Sequence, residues 1–252
     1  MRILVTFAVE AEFAPWRKLR EFRTSSGSDT EYFLSKQEDS EIGVLLTGVG
    51  CRKAWVEATK AIWDGEVDVC VSSGLAGGLR PEHELGEILV AERVLASKWD
   101  RVVECDPLLV KSAEAARAER VHSFYTSDRV ILESREKRKL GAFADAVEME
   151  SGEILFEAAA FGARVVAIRA VSDTADEDLP LDFNKVTSDK GDVSLMRILG
   201  IIASAPSSIP ALVRFGRHSR SAAEGLAEFL EKYVCGLAAQ ASKSAPAGVL
   251  VQ

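Results

Sequence analysis

The chain has 252 residues, of which 47% are hydrophobic and 28% charged, and its formal net charge at pH 7 is −8. This balance is typical of a soluble globular protein and excludes a disordered, collagen-like or coiled-coil chain. The negative charge repels phosphate backbones and anionic lipid surfaces, so we expect no nucleic-acid partner and no stable membrane insertion.

The cysteines and the N-terminal run bear on compartment and cofactors. The four cysteines are far apart and form no CxxC pair, so we predict no metal site and no redox motif. Unpaired cysteines are typical of a reducing cytoplasm, which is the expected localisation. Glu10 and Glu12 follow the apolar N-terminal run where a signal-peptide cleavage site would lie, so this run is predicted to be a strand.

Apolar, β-branched runs alternate with helical patterns along most of the chain, which predicts a sheet covered by helices on both faces. Strands are predicted at residues 3–9, 32–35, 43–47, 67–72, 87–96, 120–127, 146–149 and 165–171. Helical spacing is found at residues 52–63 and 152–161. The acidic, proline-containing segment 174–180 is predicted to be a flexible loop.

Beyond residue 193 the pattern is helical, with interruptions at Pro206 and Pro210 and near-helical spacing of Leu226, Leu230 and Tyr233. We therefore predict a single domain over residues 1–240, in which residues 193–240 form a helical C-terminal extension. Residues 241–252 are mostly small and are predicted to be a flexible tail.

Two pairs of acidic residues lie at predicted strand ends. Glu10 and Glu12 follow the first strand, where partial burial can turn a carboxylate into a base for water, although acids there also stabilise a first helical turn. Glu148 and Glu150 interrupt an apolar strand end, and a carboxylate there can accept hydrogen bonds from both hydroxyls of a ribose. The alternative is that Glu150 or Ser151 caps the following helix.

Two glycine-rich segments and a Ser-Asp pair end other predicted strands. The segments 47–50 (TGVG) and 73–78 (SGLAGG) could hold an anion or a sugar oxygen on exposed N–H groups, or could be ordinary tight turns. Neither fits the GxGxxG dinucleotide motif. Asp173 could protonate a leaving group, with Arg169 pairing a nearby acid, although Ser172 and Asp173 could also form a common turn.

Taken in order, these segments resemble those of the nucleoside phosphorylase and nucleosidase family, in particular its methylthioadenosine/S-adenosylhomocysteine nucleosidase branch. The resemblance runs from residue 1 to about residue 183 and is carried by FAVEAE (7–12), TGVG (47–50), SGLAGGL (73–79), VEME (147–150) and RAVSD (169–173). It implies an α/β fold with three α/β/α layers around a mixed, partly closed sheet. It also implies a homodimer or larger homo-oligomer that uses no metal or organic cofactor.

The resemblance implies hydrolysis of the N-glycosidic bond of a purine nucleoside. Asp173 resembles the acid that protonates N7 of the purine, Glu12 the base that activates water, and Glu150 the carboxylate that holds the ribose hydroxyls. The remaining site residues implied are Met149 and Val9 at the ribose, Val130, Ile131 and Ser172 at the base, and Leu75, Gly77 and Arg169 at the nucleophile.

Three positions depart from the nucleosidase pattern. Val130 stands where these enzymes usually stack an aromatic ring on adenine, Leu75 replaces a serine, and Val9 replaces a methionine. These departures leave open a non-catalytic nucleoside-binding protein on the same fold. A phosphate-dependent phosphorylase is the other alternative, with Arg52 and Arg80 as candidate phosphate ligands.

The long C-terminal part is more similar to the hopanoid-associated branch, which removes adenine from an adenosylated lipid precursor. Under that resemblance, the apolar stretches 196–202 and 209–215 would shape an apolar pocket or contact a membrane surface. Ordinary helix packing or a subunit interface is the alternative. The predicted substrate is thus a small nucleoside, either a 5′-modified adenosine such as methylthioadenosine or S-adenosylhomocysteine, or an adenosylated lipid precursor.

Overall fold

The computed structural model describes residues 1–25, 32–50, 66–96, 101–182 and 209–244. The strands of this part are β1 (Arg2–Phe7), β2 (Arg23–Ser25), β3 (Tyr32–Gln37), β4 (Ser40–Leu46), β5 (Val69–Gly78), β6 (Ile88–Ala96), β7 (Arg101–Glu104), β8 (Glu119–Thr126), β9 (Ala146–Glu148) and β10 (Arg164–Asp173). Its helices are α1 (Glu10–Leu19), α2 (Pro107–Ala115), α3 (Ser134–Leu140), α4 (Ser151–Ala160) and α5 (Ile209–Ser244).

All described strands belong to one mixed sheet with the order β10-β6-β8-β9-β5-β1-β4-β3-β2, and β7 pairs with β6. Strand β10 also pairs in parallel with β5, so β5, β10, β6, β8 and β9 form a closed ring from which β1, β4, β3 and β2 extend. Helices α4 and α5 both pack on β5 and β10. The predicted α/β fold class, with a mixed and partly closed sheet, is confirmed.

A partly buried carboxylate on the C-terminal helix α5 bonds to two side chains of α1 and its C-cap. The Glu231 carboxylate accepts hydrogen bonds from the Trp16 indole at 2.8 Å and from the Arg20 guanidinium at 2.7 and 2.9 Å. Leu226, Leu230 and other apolar residues at helical spacing are buried on the same helix. This packing places the N-terminal half of α5 beside α1, over the end of strand β1.

Several elements differ from the sequence predictions. Strand β5 continues through Gly78, beyond the predicted strand end at residue 72, because Gly77 and Gly78 pair with β9 and Gly77 also pairs with β10. Strand β1 ends at Phe7 rather than at residue 9, since Val9 is the N-cap of α1. Residues 174–180 are irregular, as predicted.

Helices α1, α2 and α3 and strands β2 and β7 were not among the predicted elements. Helix α5 includes Pro210 in its first turn, where a missing N–H costs nothing, and it continues through Ser244, into the predicted tail. The predicted helix at residues 52–63, Pro206 and residues 245–252 lie outside the described residues. No helix in the described part is both long and apolar enough to cross a bilayer.

Candidate active site

A cavity of about 610 Å³ opens where β1, β5, β9 and β10 end. Such strand ends are the usual place for ligand sites in α/β folds. Ten of the eleven predicted site residues line it: Val9, Glu12, Leu75, Gly77, Val130, Ile131, Met149, Glu150, Ser172 and Asp173. Arg169 is the exception, because it lies behind the cavity wall and is 1% exposed.

Glu12 is fixed by three backbone N–H groups at one end of the cavity. Its Oε2 accepts hydrogen bonds from Ala8 at 2.9 Å and Val9 at 3.3 Å, and its Oε1 accepts one from Leu75 at 3.0 Å. The bond from Val9 is a helix-capping contact, so the side chain also stabilises the start of α1. Burial nevertheless raises the pKa of Glu12 above its ordinary value, against the opposing effect of these bonds and of Arg169.

Gly74 makes room for the Glu12 carboxylate. A Cβ atom at position 74 would lie 3.0 Å from Glu12 Oε1, and the backbone has φ of +144°, which side chains rarely adopt. Glu10, two residues before Glu12, is exposed and forms an ion pair with Arg17 at 2.6 Å. The two acids of the first motif therefore separate into one buried in the cavity and one at the surface.

Arg169 and Glu148 form a buried ion pair at the cavity wall, where Glu148 lines the cavity and Arg169 lies behind it. The Arg169 Nη2 donates to Glu148 Oε2 at 2.6 Å and to the hydroxyls of Ser151 and Ser72 at 2.8 and 3.2 Å. Burial alone would raise the pKa of Glu148, but the charge of Arg169 and a hydrogen bond from Thr126 outweigh it and lower the pKa. Glu148 is therefore an ionised carboxylate whose acceptors are occupied by the protein.

Glu150 lies beside this pair, and among the described residues it forms no ion pair of its own. Its Oε1 accepts a hydrogen bond from the Gly50 N–H at 2.9 Å. Burial and the nearby charge of Glu148 raise the pKa of Glu150 to about 8. A carboxyl group in this state can exchange a proton when a ligand hydroxyl approaches it.

Asp173 lies at the other end of the cavity and has a dedicated cation. Lys137 Nζ donates to its Oδ2 at 2.5 Å, and Ser172 Oγ donates to its Oδ1 at 2.6 Å. A Cβ atom at position 77 would lie 3.0 Å from the same Oδ2, so a side chain at that point of β5 would press on the carboxylate. Both oxygens of the carboxylate are thus held in place.

The loop after β8 forms the wall next to Asp173. Val130 and Ile131 line the cavity, and Ile131 packs against Leu79 and Val147 in a small apolar cluster. The neighbouring Arg129 forms an ion pair with Glu136 of α3. This wall offers an apolar surface to a flat ring.

Helices α1 and α5 line the outer part of the cavity. Their contribution consists mostly of small or apolar residues, with charged residues at the rim: Ala11, Ala14, Pro15, Lys18, Phe215, Gly216, Ser219, Arg220, Ala223 and Glu224. Arg220 and Glu224 pair with each other at 3.0 Å. Of the two apolar stretches predicted from the sequence, residues 209–215 thus reach the cavity through Phe215, and residues 196–202 lie outside the described part.

Arg80, a predicted phosphate ligand, is engaged elsewhere. Its Nε lies 3.1 Å from Asp145 Oδ1, in a cluster with His83 and Glu87 that does not line the cavity. Arg52, the other candidate, lies outside the described residues. Within the part of the chain that the structure describes, no cluster of three or more side chains suits a metal ion.

Two important side chains were not identified from the sequence. The sequence analysis assigns no role to Glu148. Its spacing of two residues from Glu150 is nevertheless a signal that both acids lie on one side of the strand end. Lys137 lies in the charged run SREKRK, which looks like an ordinary solvated helix face, yet it is the buried residue of α3.

Comparison with known proteins places this geometry in a family. The chain is similar to the methylthioadenosine/S-adenosylhomocysteine nucleosidase of Helicobacter pylori (20% identity, 93% of this chain and 97% of that chain, TM-score 0.72) and to that of Neisseria meningitidis (21%, 93% and 98%, 0.71). It is equally similar to the futalosine hydrolase of Helicobacter pylori (20%, 93% and 98%, 0.71). At these identities the likeness concerns the fold.

The family model of the Phosphorylase superfamily matches residues 2–203, which include every strand of the sheet and the four elements that end at the cavity. This confirms the family indicated by the sequence motifs. The chain therefore belongs to the phosphorylase superfamily and is an enzyme of the nucleosidase or nucleoside phosphorylase type.

Proposed function

We propose that this protein hydrolyses the N-glycosidic bond of a purine nucleoside. The observation that carries the proposal is the distribution of charge along one cavity, with buried carboxyl groups at one end and a cation-bound carboxylate at the other. Departure of a purine leaves positive charge on the sugar and negative charge on the base. Carboxylates at one end of the cavity stabilise the positive charge on the sugar, and a proton from Asp173 neutralises the negative charge on the base.

The proposed roles follow from the contacts of each group. Glu12 takes a proton from the attacking water, because its pKa is raised while its oxygens stay fixed by Ala8, Val9 and Leu75. Glu150 accepts hydrogen bonds from the ribose hydroxyls. Asp173 passes a proton to the ring nitrogen of the departing base, which lies against Val130 and Ile131.

Water is favoured over phosphate as the nucleophile. A phosphate bound near Glu12 would face the carboxyl groups of Glu12, Glu148 and Glu150, while the buried guanidinium of Arg169 is already bonded to Glu148. An anion in this environment would pay a large desolvation and repulsion cost, and neutral water would not. Arg80, which a phosphorylase could use, is paired with Asp145 instead.

The proposed substrate is an adenosine with an apolar 5′ substituent. Phe215, Pro15 and Ala223 line the part of the cavity that lies toward helices α1 and α5, where a group extending beyond the ribose would fit. The volume of about 610 Å³ exceeds what a compact nucleoside alone needs. Each methylene buried in such a channel contributes about 0.8 kcal/mol, or roughly a fourfold gain in kcat/KM.

The first experiment is to incubate the purified protein with methylthioadenosine, S-adenosylhomocysteine, adenosine and inosine, with and without phosphate, and to measure free base by chromatography. We expect base release that is independent of phosphate and that increases along a series of 5′-alkylthioadenosines of growing chain length. Release only with phosphate would identify a phosphorylase. Tight binding of these nucleosides without release would support a non-catalytic binding protein.

The acid assignment is tested with Asp173→Asn. Because the amide cannot supply the proton, we expect turnover to fall by at least about 100-fold while the dissociation constant for adenosine changes by less than about threefold. Near-normal kcat in this variant would contradict the assignment.

A further inference from the structure

Lys137 is an unusual residue for the surface helix on which it lies. Helix α3 carries the charged run SREKRK, yet the Lys137 side chain is 0% exposed. Burying an ammonium group costs several kcal/mol unless it is paired and hydrogen-bonded. The contacts of the Lys137 ammonium group must therefore offset this cost.

All three ammonium hydrogens of Lys137 have acceptors around one point of the chain. Nζ lies 2.5 Å from Asp173 Oδ2 and 2.9 Å from the carbonyl oxygens of Thr174 and Glu177. One group therefore holds both Asp173 and the loop that follows it. Lys137 itself does not line the cavity, so it reaches a ligand there only through Asp173.

Other contacts of α3 hold the same loop from the surface. Arg138 pairs with Asp176 at 2.8 Å, and the Ser134 N–H donates to Asp178 Oδ1 at 2.7 Å. These contacts are exposed, so they are worth little energetically. The loop is thus attached to α3 also by contacts that involve neither Lys137 nor Asp173.

We propose that Lys137 is a positioning residue that acts through Asp173: its ammonium group orients the carboxyl group toward the base and supplies the proton that Asp173 passes on. This inference rests on the proposed function of Asp173 as the acid. Under this inference, the general acid consists of two residues, Asp173 in the cavity and Lys137 outside it on helix α3.

Every proton that moves in this step has a donor and an acceptor in the site or in solvent. A proton moves from Lys137 Nζ to the Asp173 carboxylate and from the carboxyl group to a ring nitrogen, as the C1′–N bond breaks and its electron pair goes to the base. The attacking water adds its hydroxyl to C1′ and gives its other proton to Glu12. After the products leave, solvent removes a proton from Glu12 and returns one to the neutral amine of Lys137.

The test compares a purine nucleoside with p-nitrophenyl riboside, whose leaving group is a stable anion that needs no proton. With Lys137→Met we expect kcat for the nucleoside to fall roughly 100-fold, with KM within about threefold, and kcat for p-nitrophenyl riboside to fall less than about fivefold. Asp173→Asn should show the same pattern. Arg138→Met, which removes an exposed contact to the same loop, is the matched control and should retain kcat within about twofold.

A purely structural role for Lys137 gives a different result. Equal losses on both substrates in Lys137→Met, or no loss on the nucleoside, would overturn the inference. Lys137→Gln keeps a hydrogen-bond donor for the loop carbonyls and serves as a second variant if the methionine variant does not fold. A Lys137→Gln protein with wild-type thermal stability and wild-type nucleoside turnover would likewise overturn it.

Failure of the inference is distinguishable from failure of the proposed function. If Asp173→Asn loses the nucleoside reaction and Lys137→Met keeps it, Asp173 is the acid and only the role of Lys137 falls. If Asp173→Asn keeps wild-type turnover of the nucleoside, the acid assignment itself is wrong, and the role of Lys137 falls with it.

Discussion

The two ends of the cavity differ in how much positive charge lies near their carboxyl groups. At the proposed sugar end, Glu12, Glu148 and Glu150 all lie near one guanidinium of the described residues, that of Arg169. Glu148 takes that partner, so its pKa is lowered, whereas the pKa of Glu12 is raised and that of Glu150 rises to about 8. At the proposed base end, Asp173 forms a buried ion pair with Lys137.

Under the proposed mechanism, this difference separates the base from the acid at one pH. A shortage of positive charge makes buried carboxyl groups basic enough to accept a proton from water. The ion pair between Asp173 and Lys137 instead holds one carboxyl group in a fixed orientation. The following predictions test this contrast, from the largest effect to the smallest.

Glu12→Gln should have the largest effect. The amide cannot accept a proton from water, so we expect kcat to fall roughly 1000-fold, within the range for general base catalysis. The control is Glu10→Gln, which changes the exposed acid of the same motif and should leave kcat within about twofold. In the wild-type enzyme, kcat/KM should fall as the pH drops through the raised pKa of Glu12. Comparable rates in the two variants would disprove the assignment of the base.

Glu150→Gln tests the second basic carboxyl group. Hydrogen bonds from ribose hydroxyls favour the carboxylate, so losing it should weaken binding by roughly 10- to 100-fold, the value of hydrogen bonds to a charged group. Because the pKa of Glu150 is about 8 in the empty site, ligand binding at pH 7 should release up to one proton.

Calorimetry in buffers of different ionisation enthalpy measures this proton release. The wild-type enzyme should release a proton on binding a nucleoside, and Glu150→Gln should not. Equal proton release from both proteins would show that another group titrates on binding.

Gly74→Ala should disturb the Glu12 end by geometry alone. The added methyl group would lie 3.0 Å from Glu12 Oε1 at a φ of +144°, so we expect about tenfold lower kcat and a stability loss of about 1–3 kcal/mol. Gly225→Ala in helix α5 is the control, because its Cβ meets no atom within 4 Å and alanine favours the helix. Denaturant unfolding and steady-state kinetics on both variants test the prediction, which fails if Gly74→Ala behaves like its control.

The smallest effect is expected outside the cavity, at His83. The adjacent Asp145 carboxylate, followed by Glu87, raises the pKa of His83 against the effect of burial. A raised pKa in the folded protein contributes stability that is complete below the unfolded value of about 6.5 and is lost as the pH rises through the folded value.

The stabilisation by His83 should therefore be largest at low pH and should disappear as the pH rises through its raised pKa. Thermal unfolding between pH 5.5 and 8.5 should therefore show a steeper decline for the wild-type protein than for His83→Gln. Parallel curves would indicate that His83 does not titrate in this range. Activity per folded molecule should be the same in both proteins, because this cluster does not line the cavity.

The central strands and much of the cavity wall were predictable from local pattern. A continuous apolar run, such as the one that begins β5, is typical of a central strand that is buried on both faces of the sheet. The acids and glycines at strand ends then meet automatically, because the carboxyl ends of parallel strands share one edge of the sheet. Glu12 follows β1 and Asp173 ends β10, so these two acids reach one cavity for this reason. Glu150 follows β9, which is antiparallel to β5, and it reaches the same cavity because β9 closes the ring of strands.

Only the tertiary structure decided which cation pairs with which buried carboxylate. Lys137 cannot be told from its neighbours in SREKRK by residue type, because its burial depends on the loop 36 residues later that closes over it. The pairing of Arg169 with Glu148 rather than with Glu150 likewise depends on how β10 and β9 meet across the ring. Local sequence determines what a segment can bury, whereas the protonation of a buried group is set by neighbours that the fold brings from distant parts of the chain.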